Sequence, residues 1–311
     1  MTKPPVFLRP VGRSGGTLFV TMLDAHPDLA MSYEIYEDRL LDGSGQPMVP
    51  QAIATELEQC RPADHNQDAW IKALADRNLQ VFMWRARRAG LDVDEVLAQF
   101  HEFAEAGKTF QTLDGRLELI ERLMIYKMTK LGKKVWGGKA AVDPRALHTR
   151  HPNASFFIMV RDGRDILASR LNTGEFETDP RKVADEWVGM LSDFHTFASQ
   201  ANVRAMEIRY ERLVDEPEHV LREVCEQVGV NYSPMMLSYH EQDMSLFRNP
   251  YGHLSHTQIA RGLNAETIGR WRRDLSIEQV DAFCEVAGEL LDKLGYLSAD
   301  SETVSPSHLR S

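Results

Sequence analysis

The chain has 311 residues, of which 43% are hydrophobic and 26% are charged. This length and composition are typical of one large globular domain and exclude a disordered or fibrous chain. The net charge of −10 argues against a nucleic-acid partner, because binding a polyanion requires a basic surface.

The cysteines and the apolar runs bear on the cellular compartment. Cys60, Cys225 and Cys284 are odd in number, lie far apart and lack a metal-binding spacing, which is typical of reduced thiols in a cytoplasmic protein. No apolar run reaches the roughly 18 residues of a transmembrane helix. The N-terminal apolar run is broken by Arg9 and Pro10, so we expect neither a signal peptide nor a membrane anchor.

Four short apolar runs predict the buried strands of a parallel sheet. They occupy residues 6–8, 134–136, 156–160 and 206–210. Helical patterns lie between these runs, which favours β–α–β units and an α/β fold with helices flanking the sheet. We expect a single domain over 1–296 with a helical insertion at about 40–131, and a flexible tail over 297–311.

A glycine-rich loop follows the first predicted strand and precedes a helix predicted over 18–24. The loop reads Gly12-Arg13-Ser14-Gly15-Gly16-Thr17. Glycines allow the backbone to turn tightly with its N–H groups pointing inward, and the helix N-terminus adds donors and partial positive charge. Arg13 adds a charged planar fork of donors. The pattern predicts an anion-binding cradle, with a plain turn as the alternative, and it lacks the lysine of a Walker A motif.

A second candidate anion site follows the strand predicted over 156–160. Arg161 stands at the carboxyl end of this strand, where open α/β sheets bind ligands. Ser169 comes eight residues later, so a turn and about two helical turns can return its hydroxyl to the strand end. An arginine and a serine at one point suit a phosphate monoester. The alternative is that the charged run 161–165 forms a surface cluster of ion pairs.

These two motifs resemble those of sulfotransferases that use 3′-phosphoadenosine 5′-phosphosulfate (PAPS). Residues 12–34 are similar to the 5′-phosphosulfate loop of the tyrosylprotein sulfotransferase branch and its bacterial relatives, with Gly16 where the family commonly has Thr. Residues 161–169 resemble the 3′-phosphate motif, including its eight-residue step. The resemblance implies a P-loop-like parallel sheet flanked by helices. It also implies transfer of a sulfuryl group from PAPS to an acceptor hydroxyl without a metal, leaving adenosine 3′,5′-bisphosphate (PAP).

The resemblance assigns roles to individual residues. The implied cofactor-binding residues are Arg13, Ser14, Gly15, Gly16, Thr17, Leu18, Arg161, Ser169, Tyr210, Ser255 and Arg270. Arg13 and Lys139 would stabilise the departing oxygen and the sulfonate, and Glu34 would accept the proton of the acceptor. Lys139 ends a segment similar to the family's WG-x-K-TP, although Ala140 and Ala141 replace the Thr-Pro pair.

The residues themselves leave more than one candidate for the general base. Glu34 lies 21 residues after Arg13, which is the spacing of the catalytic glutamate in the tyrosylprotein branch. The pattern of residues alone would not choose it. The other candidates are Glu37, His148, His151, His253 and His256.

Two further alternatives concern the reaction and the acceptor. A P-loop-like ATP-dependent small-molecule kinase would need a Walker lysine or an acidic metal ligand, and a non-catalytic nucleotide-binding module would need no base. The acceptor could be a glycan, a lipid, a phenol or a metabolite alcohol. Thr173 and residues 35–38 depart from the tyrosylprotein branch and argue against a peptide tyrosine.

Overall fold

The computed structural model describes residues 3–9, 11–174, 176–200 and 202–297. Its strands are β1 (Val6–Arg9), β2 (Leu29–Ser32), β3 (Val135–Lys139), β4 (Ser155–Val160) and β5 (Arg204–Arg209). They form one parallel sheet in the order β2–β3–β1–β4–β5. The predicted α/β fold with a parallel sheet is therefore confirmed.

Helices flank the sheet, and five of the helices described lie between β2 and β3 in the chain. The helices are α1 (Gly16–Asp24), α2 (Pro50–Gln59), α3 (Gln67–Lys72), α4 (Arg77–Arg88), α5 (Val93–Glu105), α6 (Leu113–Lys130), α7 (Pro144–Arg150), α8 (Gly163–Thr173), α9 (Pro180–Ala198), α10 (Tyr210–Asp215), α11 (Pro217–Val228), α12 (Ser245–Arg248), α13 (His256–Ile259), α14 (Trp271–Asp274) and α15 (Ile277–Lys293). None of these helices, within the described ranges, is long and apolar enough to cross a membrane.

Alternating side chains bury both faces of the sheet. In β1, Phe7 packs into one apolar cluster, which includes residues of α2–α6, α9 and α15. Val6 and Leu8 pack on the opposite face, with residues of α1 and α11. A strand that is buried on both faces needs apolar residues at every position, which explains the uninterrupted apolar runs of the sequence.

Helices α2–α6 lie between β2 and β3 in the chain, where the helical insertion was expected. Their apolar side chains share one core cluster with Phe7 and Trp136 of the sheet. The division into one domain with an insertion stays a prediction. Residues 298–311 of the expected tail lie outside the described residues.

Three local details differ from the sequence-based expectations. Strand β2 was not predicted, because four residues after a Pro-Asp turn leave too short a pattern to recognise. Tyr210 is the first residue of α10 and does not end a strand as expected. Lys134 precedes β3, which continues to Lys139 and therefore places that lysine at the carboxyl end of the sheet.

Candidate active site

A cavity of about 530 Å³ opens at the carboxyl ends of the strands. Each strand has a residue at its end or shortly after it that lines this cavity, because parallel strands all end at this edge of the sheet. These residues are Val11 after β1, Glu34 after β2, Lys139 at the end of β3, Arg161 after β4 and Tyr210 after β5. The cavity therefore brings the two predicted anion-binding motifs together.

The glycine-rich loop leads from β1 into α1. The amide and the hydroxyl of Ser14 both donate to the carbonyl oxygen of Val11, at 3.2 and 2.8 Å, which closes the turn. Phe19 donates the first hydrogen bond of the helix to Gly15, so the amides of Gly16, Thr17 and Leu18 have no acceptor within α1. These donors and the helix dipole make the cavity floor a suitable anion site.

Gly15 is required by both its backbone and its neighbour. Its φ of 97° lies in the left-handed region, and an added Cβ would lie 2.4 Å from Cδ2 of Tyr210. The tyrosine ring cannot easily withdraw, because the Arg161 guanidinium lies 4.4 Å from its centre and its hydroxyl is 2.9 Å from Oγ1 of Thr267. The glycine-rich loop therefore packs directly against the ring of Tyr210.

We expect Gly15→Ala to destabilise the protein more than Gly45→Ala. Gly45 has a similar φ of 81° but no neighbouring atom within 4 Å of an added Cβ, so its substitution adds only backbone strain, about 1–3 kcal/mol. Gly15→Ala adds a clash with the tyrosine ring to that strain. Urea unfolding of both variants measures the difference, and equal losses of stability would contradict the close packing of the loop on Tyr210.

Arg13 connects the loop to two other parts of the chain. Its Nε donates to Oγ of Ser169 on α8 at 3.1 Å, and its Nη1 donates to Oγ of Ser255 at 2.8 Å. The three residues that the resemblance assigned to the cofactor are therefore adjacent. The guanidinium faces Ser169, which the resemblance placed at the 3′-phosphate, and Ser255, which it assigned to the cofactor, whereas Lys139 lies beside Glu34.

Arg161 is buried and fixed by backbone acceptors. Nη1 donates to the carbonyl oxygen of Arg13 at 3.2 Å, and Nη2 donates to that of Thr267. Nη2 is also 3.7 Å from a carboxylate oxygen of Asp165. Arg161 therefore ties the glycine-rich loop to the C-terminal segment and lines the cavity.

Arg270 also lines the cavity, but its guanidinium forms an ion pair with a carboxylate. Nε and Nη2 contact Oδ2 of Asp274 at 2.8 and 2.7 Å. Together with Ser255 and Thr267, it shows that the segment after α11 supplies a wall of the cavity. Ser255 and Arg270, which the resemblance assigned to the cofactor, therefore both line the same cavity.

A carboxylate and two cations occupy the middle of the cavity. Lys139 Nζ donates to Oε1 of Glu34 at 2.9 Å and to Oγ1 of Thr17 at 2.8 Å. On the other side, Nη1 of Arg88 donates to Oε2 of Glu34 at 3.0 Å. Arg88 also donates to the carbonyl oxygens of Pro250 and Tyr251, so Glu34 is held between the sheet and α4.

The surrounding charges keep Glu34 ionised. Burial raises the pKa of its carboxyl, but the charges of Lys139, of His253 when protonated and of Arg88 outweigh burial and hold the pKa well below its usual range. The carboxylate is consequently available to accept a proton at neutral pH. The Glu34 carboxylate becomes more basic whenever the Lys139 ammonium turns towards another anion, because the ammonium then stabilises the carboxylate less.

The other candidate bases are placed less favourably. Of the four histidines considered, His253 lines the cavity, with Nε2 at 3.2 Å from Oγ1 of Thr17 and 3.8 Å from Oε1 of Glu34. Burial lowers the pKa of His253 to about 3, so the imidazole is neutral and weakly basic at pH 7. His148 and His151 pack against Phe156 and Phe7, respectively.

The two remaining candidates do not line this cavity. His256 is held by its Nδ1, which lies 2.6 Å from the carbonyl oxygen of His253. Glu37 lies in a 3-10 helix beside a separate small cavity, and burial raises its pKa. Glu34 is therefore the carboxylate best positioned to act beside Lys139.

Sequence reasoning missed the wall that faces the sheet. Helix α4 contributes Arg88, Arg85 and Trp84, and the chain adds Tyr36 and Tyr251. The rings of Trp84 and Tyr251 lie 4.2 Å apart. None of these residues belongs to a motif, and only the helical spacing of 84, 85 and 88 could have indicated a shared face.

The fold and the site define an α/β protein with a glycine-rich loop at a helix N-terminus and a carboxylate beside a lysine. A sequence model of the Sulfotransferase family matches residues 4–234. Protein-tyrosine sulfotransferase 1 of Danio rerio is 23% identical over 310 residues, which is 94% of this chain and 72% of that protein. Nodulation protein NoeE of Sinorhizobium fredii is 22% identical over 312 residues, 93% of this chain and 65% of that protein.

Solved structures of low sequence identity share the fold. The sulfotransferase domain from the Synechococcus PCC 7002 olefin synthase has a TM-score of 0.58 and 15% identity, covering 91% of this chain and 94% of that one. The sulfotransferase domain from the curacin biosynthetic pathway has a TM-score of 0.57 and 16% identity, covering 92% and 99%. The predicted P-loop-like fold class is thereby confirmed.

The chain belongs to the sulfotransferase family. The prediction of a PAPS-dependent sulfotransferase is confirmed for the enzyme class. Family membership favours sulfuryl transfer over the phosphoryl transfer of the alternative kinase. It does not assign the acceptor or the roles of individual residues.

Proposed function

We propose that this enzyme transfers a sulfuryl group from PAPS to the hydroxyl of a small phenol or alcohol, with Glu34 as general base. The observation that carries the proposal is the contact between Lys139 and Glu34, at 2.9 Å. It places an ammonium and a carboxylate between the free amides of the glycine-rich loop and the aromatic wall of the cavity. A sulfuryl donor and an acceptor hydroxyl would meet at this point.

The donor would be held by two sets of groups. The amides of Gly16, Thr17 and Leu18 and the ammonium of Lys139 suit the 5′-phosphosulfate, since they combine oriented donors with a charge. Arg13, Ser169 and Ser255 already contact one another and suit the 3′-phosphate, as do the nearby Arg161 and Arg270. In this arrangement Arg13 links the 3′-phosphate to the loop that holds the sulfuryl end.

The chemistry requires charge stabilisation and one proton transfer. The acceptor oxygen forms a bond to sulfur while the bond between sulfur and the bridging oxygen of the donor breaks. The acceptor proton passes to the Glu34 carboxylate, and Lys139 stabilises the negative charge that develops on the departing phosphate oxygen. As Lys139 shifts its interaction to that oxygen, Glu34 becomes a stronger base at the step that needs it.

The acceptor side of the cavity favours a flat or apolar body. Tyr36, Trp84 and Tyr251 provide aromatic surface there. Phenols and apolar alcohols match such a wall, because burial of apolar surface drives their binding. Glycan and lipid acceptors remain the alternatives, and a cytoplasmic location stays a prediction.

We expect PAP to raise the melting temperature of the protein without Mg²⁺, and AMP to raise it less. A ligand at 100 times its dissociation constant stabilises the native state by about 2.7 kcal/mol. Ser169→Ala should reduce the effect of PAP more than that of AMP, because AMP has no 3′-phosphate. Equal stabilisation by PAP and AMP would contradict the proposed 3′-phosphate site, and a requirement for ATP and Mg²⁺ would favour the kinase.

A further inference from the structure

One face of α4 forms a wall of the cavity. The residues of this helix that line it are Arg77, Val81, Trp84, Arg85 and Arg88. Their spacings of four, three, one and three residues place them along a single stripe of an α-helix. Arg88 is the innermost of them, because it contacts Glu34, and Arg85 follows about 4.5 Å further along the helix axis.

The cavity carries a large excess of positive charge, although the chain as a whole is acidic. Seven arginines and lysines line it: Arg13, Arg77, Arg85, Arg88, Lys139, Arg161 and Arg270. Glu34 is the single carboxylate among the lining residues of the described chain. The proposed donor accounts for the cations near the glycine-rich loop, and Arg88 is compensated by Glu34.

Arg85 and Arg77 are not accounted for by either the donor or the base. The guanidinium of Arg85 lies 4.9 Å from the ring centre of Tyr36, and its Nη1 is buried without a hydrogen-bond partner. Arg77 donates to the amide oxygen of Gln80 at 3.2 Å. Within the described ranges, neither arginine forms an ion pair with a carboxylate of the chain.

Arg85 as a whole is half-buried, but its buried Nη1 is costly, because the N–H groups of this nitrogen lose water without gaining an acceptor. A ligand anion would remove this cost, and a carboxylate matches the planar fork of an arginine in two parallel hydrogen bonds. The Tyr36 ring covers one face of the Arg85 guanidinium, and stacking leaves the edges of such a group able to donate. Arg85 is therefore built to receive an anion from the cavity.

We infer that the acceptor is a small aromatic or apolar hydroxy acid whose carboxylate binds Arg85, an inference that rests on the proposed function. With the hydroxyl at Glu34, the carboxylate would lie about one helical turn away, next to Arg85, which is the reach of a hydroxyphenyl carboxylate. Trp84 and Tyr36 would contact the ring between the two polar ends. Arg77 lies two further turns along α4 and would add a longer-range attraction to the incoming anion.

The test compares two probes of the same size and shape, of which one is an anion and the other is neutral. Binding of 4-hydroxybenzoate and of its amide to the complex of the protein with PAP is measured by calorimetry. We expect the acid to bind at least tenfold more tightly than the amide. Arg85→Gln should abolish that preference, and Arg77→Gln should reduce it less. Arg222→Gln removes the same charge from the exposed side of α11, so the preference should persist in this control.

Any of the following results would overturn the inference. Equal binding of acid and amide, absence of binding by either, or a preference that survives Arg85→Gln would remove the anion site. Binding of a tyrosine peptide with adjacent acidic residues, in place of the small acid, would overturn the small acceptor. Failure of PAP itself to bind would instead reject the proposed function, so the two failures are distinguishable.

Discussion

Replacing Glu34 with Gln is expected to reduce turnover by about 10²–10⁴-fold while leaving the affinity for PAP nearly unchanged. Glutamine preserves the size of the side chain and its oxygen can still accept from Lys139, but the amide cannot accept the acceptor proton. The amides of Gly16, Thr17 and Leu18, which are proposed to bind the donor, belong to the start of α1 and are not altered by the substitution. Turnover is measured with labelled PAPS and an acceptor found by mass spectrometry, and affinity by calorimetry with PAP.

Glu37→Gln is the matched control for this substitution. Glu37 lies three residues away but faces the small cavity on the other side of Lys139, so its loss should change turnover little. A glutamine variant at position 34 with near-normal turnover would remove Glu34 from the mechanism. His253 would then be the remaining candidate base within the cavity.

Lys139→Met should lower kcat by about 10²–10³-fold, comparable to the loss of one oxyanion donor. Methionine retains much of the apolar length of the lysine stem but supplies no charge for the departing oxygen. Lys134→Met is the control, because Lys134 precedes the same strand and pairs with Asp28 at the surface. A loss confined to KM would mean that Lys139 only binds the donor.

The same substitution should change the pH dependence of the reaction. In the wild type, Lys139 and Arg88 hold the pKa of Glu34 well below its usual range, so the base stays ionised down to low pH. Without Lys139 the pKa rises, and a larger fraction of Glu34 is protonated at mildly acidic pH. The acid limb of kcat/KM should therefore move to higher pH, towards the ordinary glutamate pKa of about 4.3, as profiles between about pH 3 and 9 will show. An unchanged acid limb would contradict the coupling of the two groups.

The residues proposed to hold the donor could be selected from the sequence because they lie in short motifs, and the structure brings these motifs to one cavity. A glycine-rich loop at a strand–helix junction can also be a plain turn, but helical geometry predicts that Ser169, eight residues after Arg161, returns to the strand end. Both motifs follow apolar strands whose parallel arrangement brings their carboxyl ends together. Lys139 could be located for the same reason, although Ala140 and Ala141 break the expected pattern.

The acceptor side could not be predicted, because it depends on contacts between distant segments. Arg88 reaches Glu34 from a position 54 residues later in the chain, and its spacing within α4 resembles that of any amphipathic helix. Charged residues on such a face are usually solvated. Only the tertiary packing of α4 against residues 250–251 shows that this arginine is buried at the site.

The single face of α4 has a consequence for how new specificities can be made. The residues of this helix that line the cavity, other than Arg88, do not belong to the glycine-rich loop. They can therefore be substituted without changing the residues proposed to bind the donor. Substituting positions 77, 81, 84 and 85 would redesign the size and charge of the accepted molecule while the donor chemistry is inherited unchanged. Arg88 should be kept in such a redesign, because it also positions Glu34.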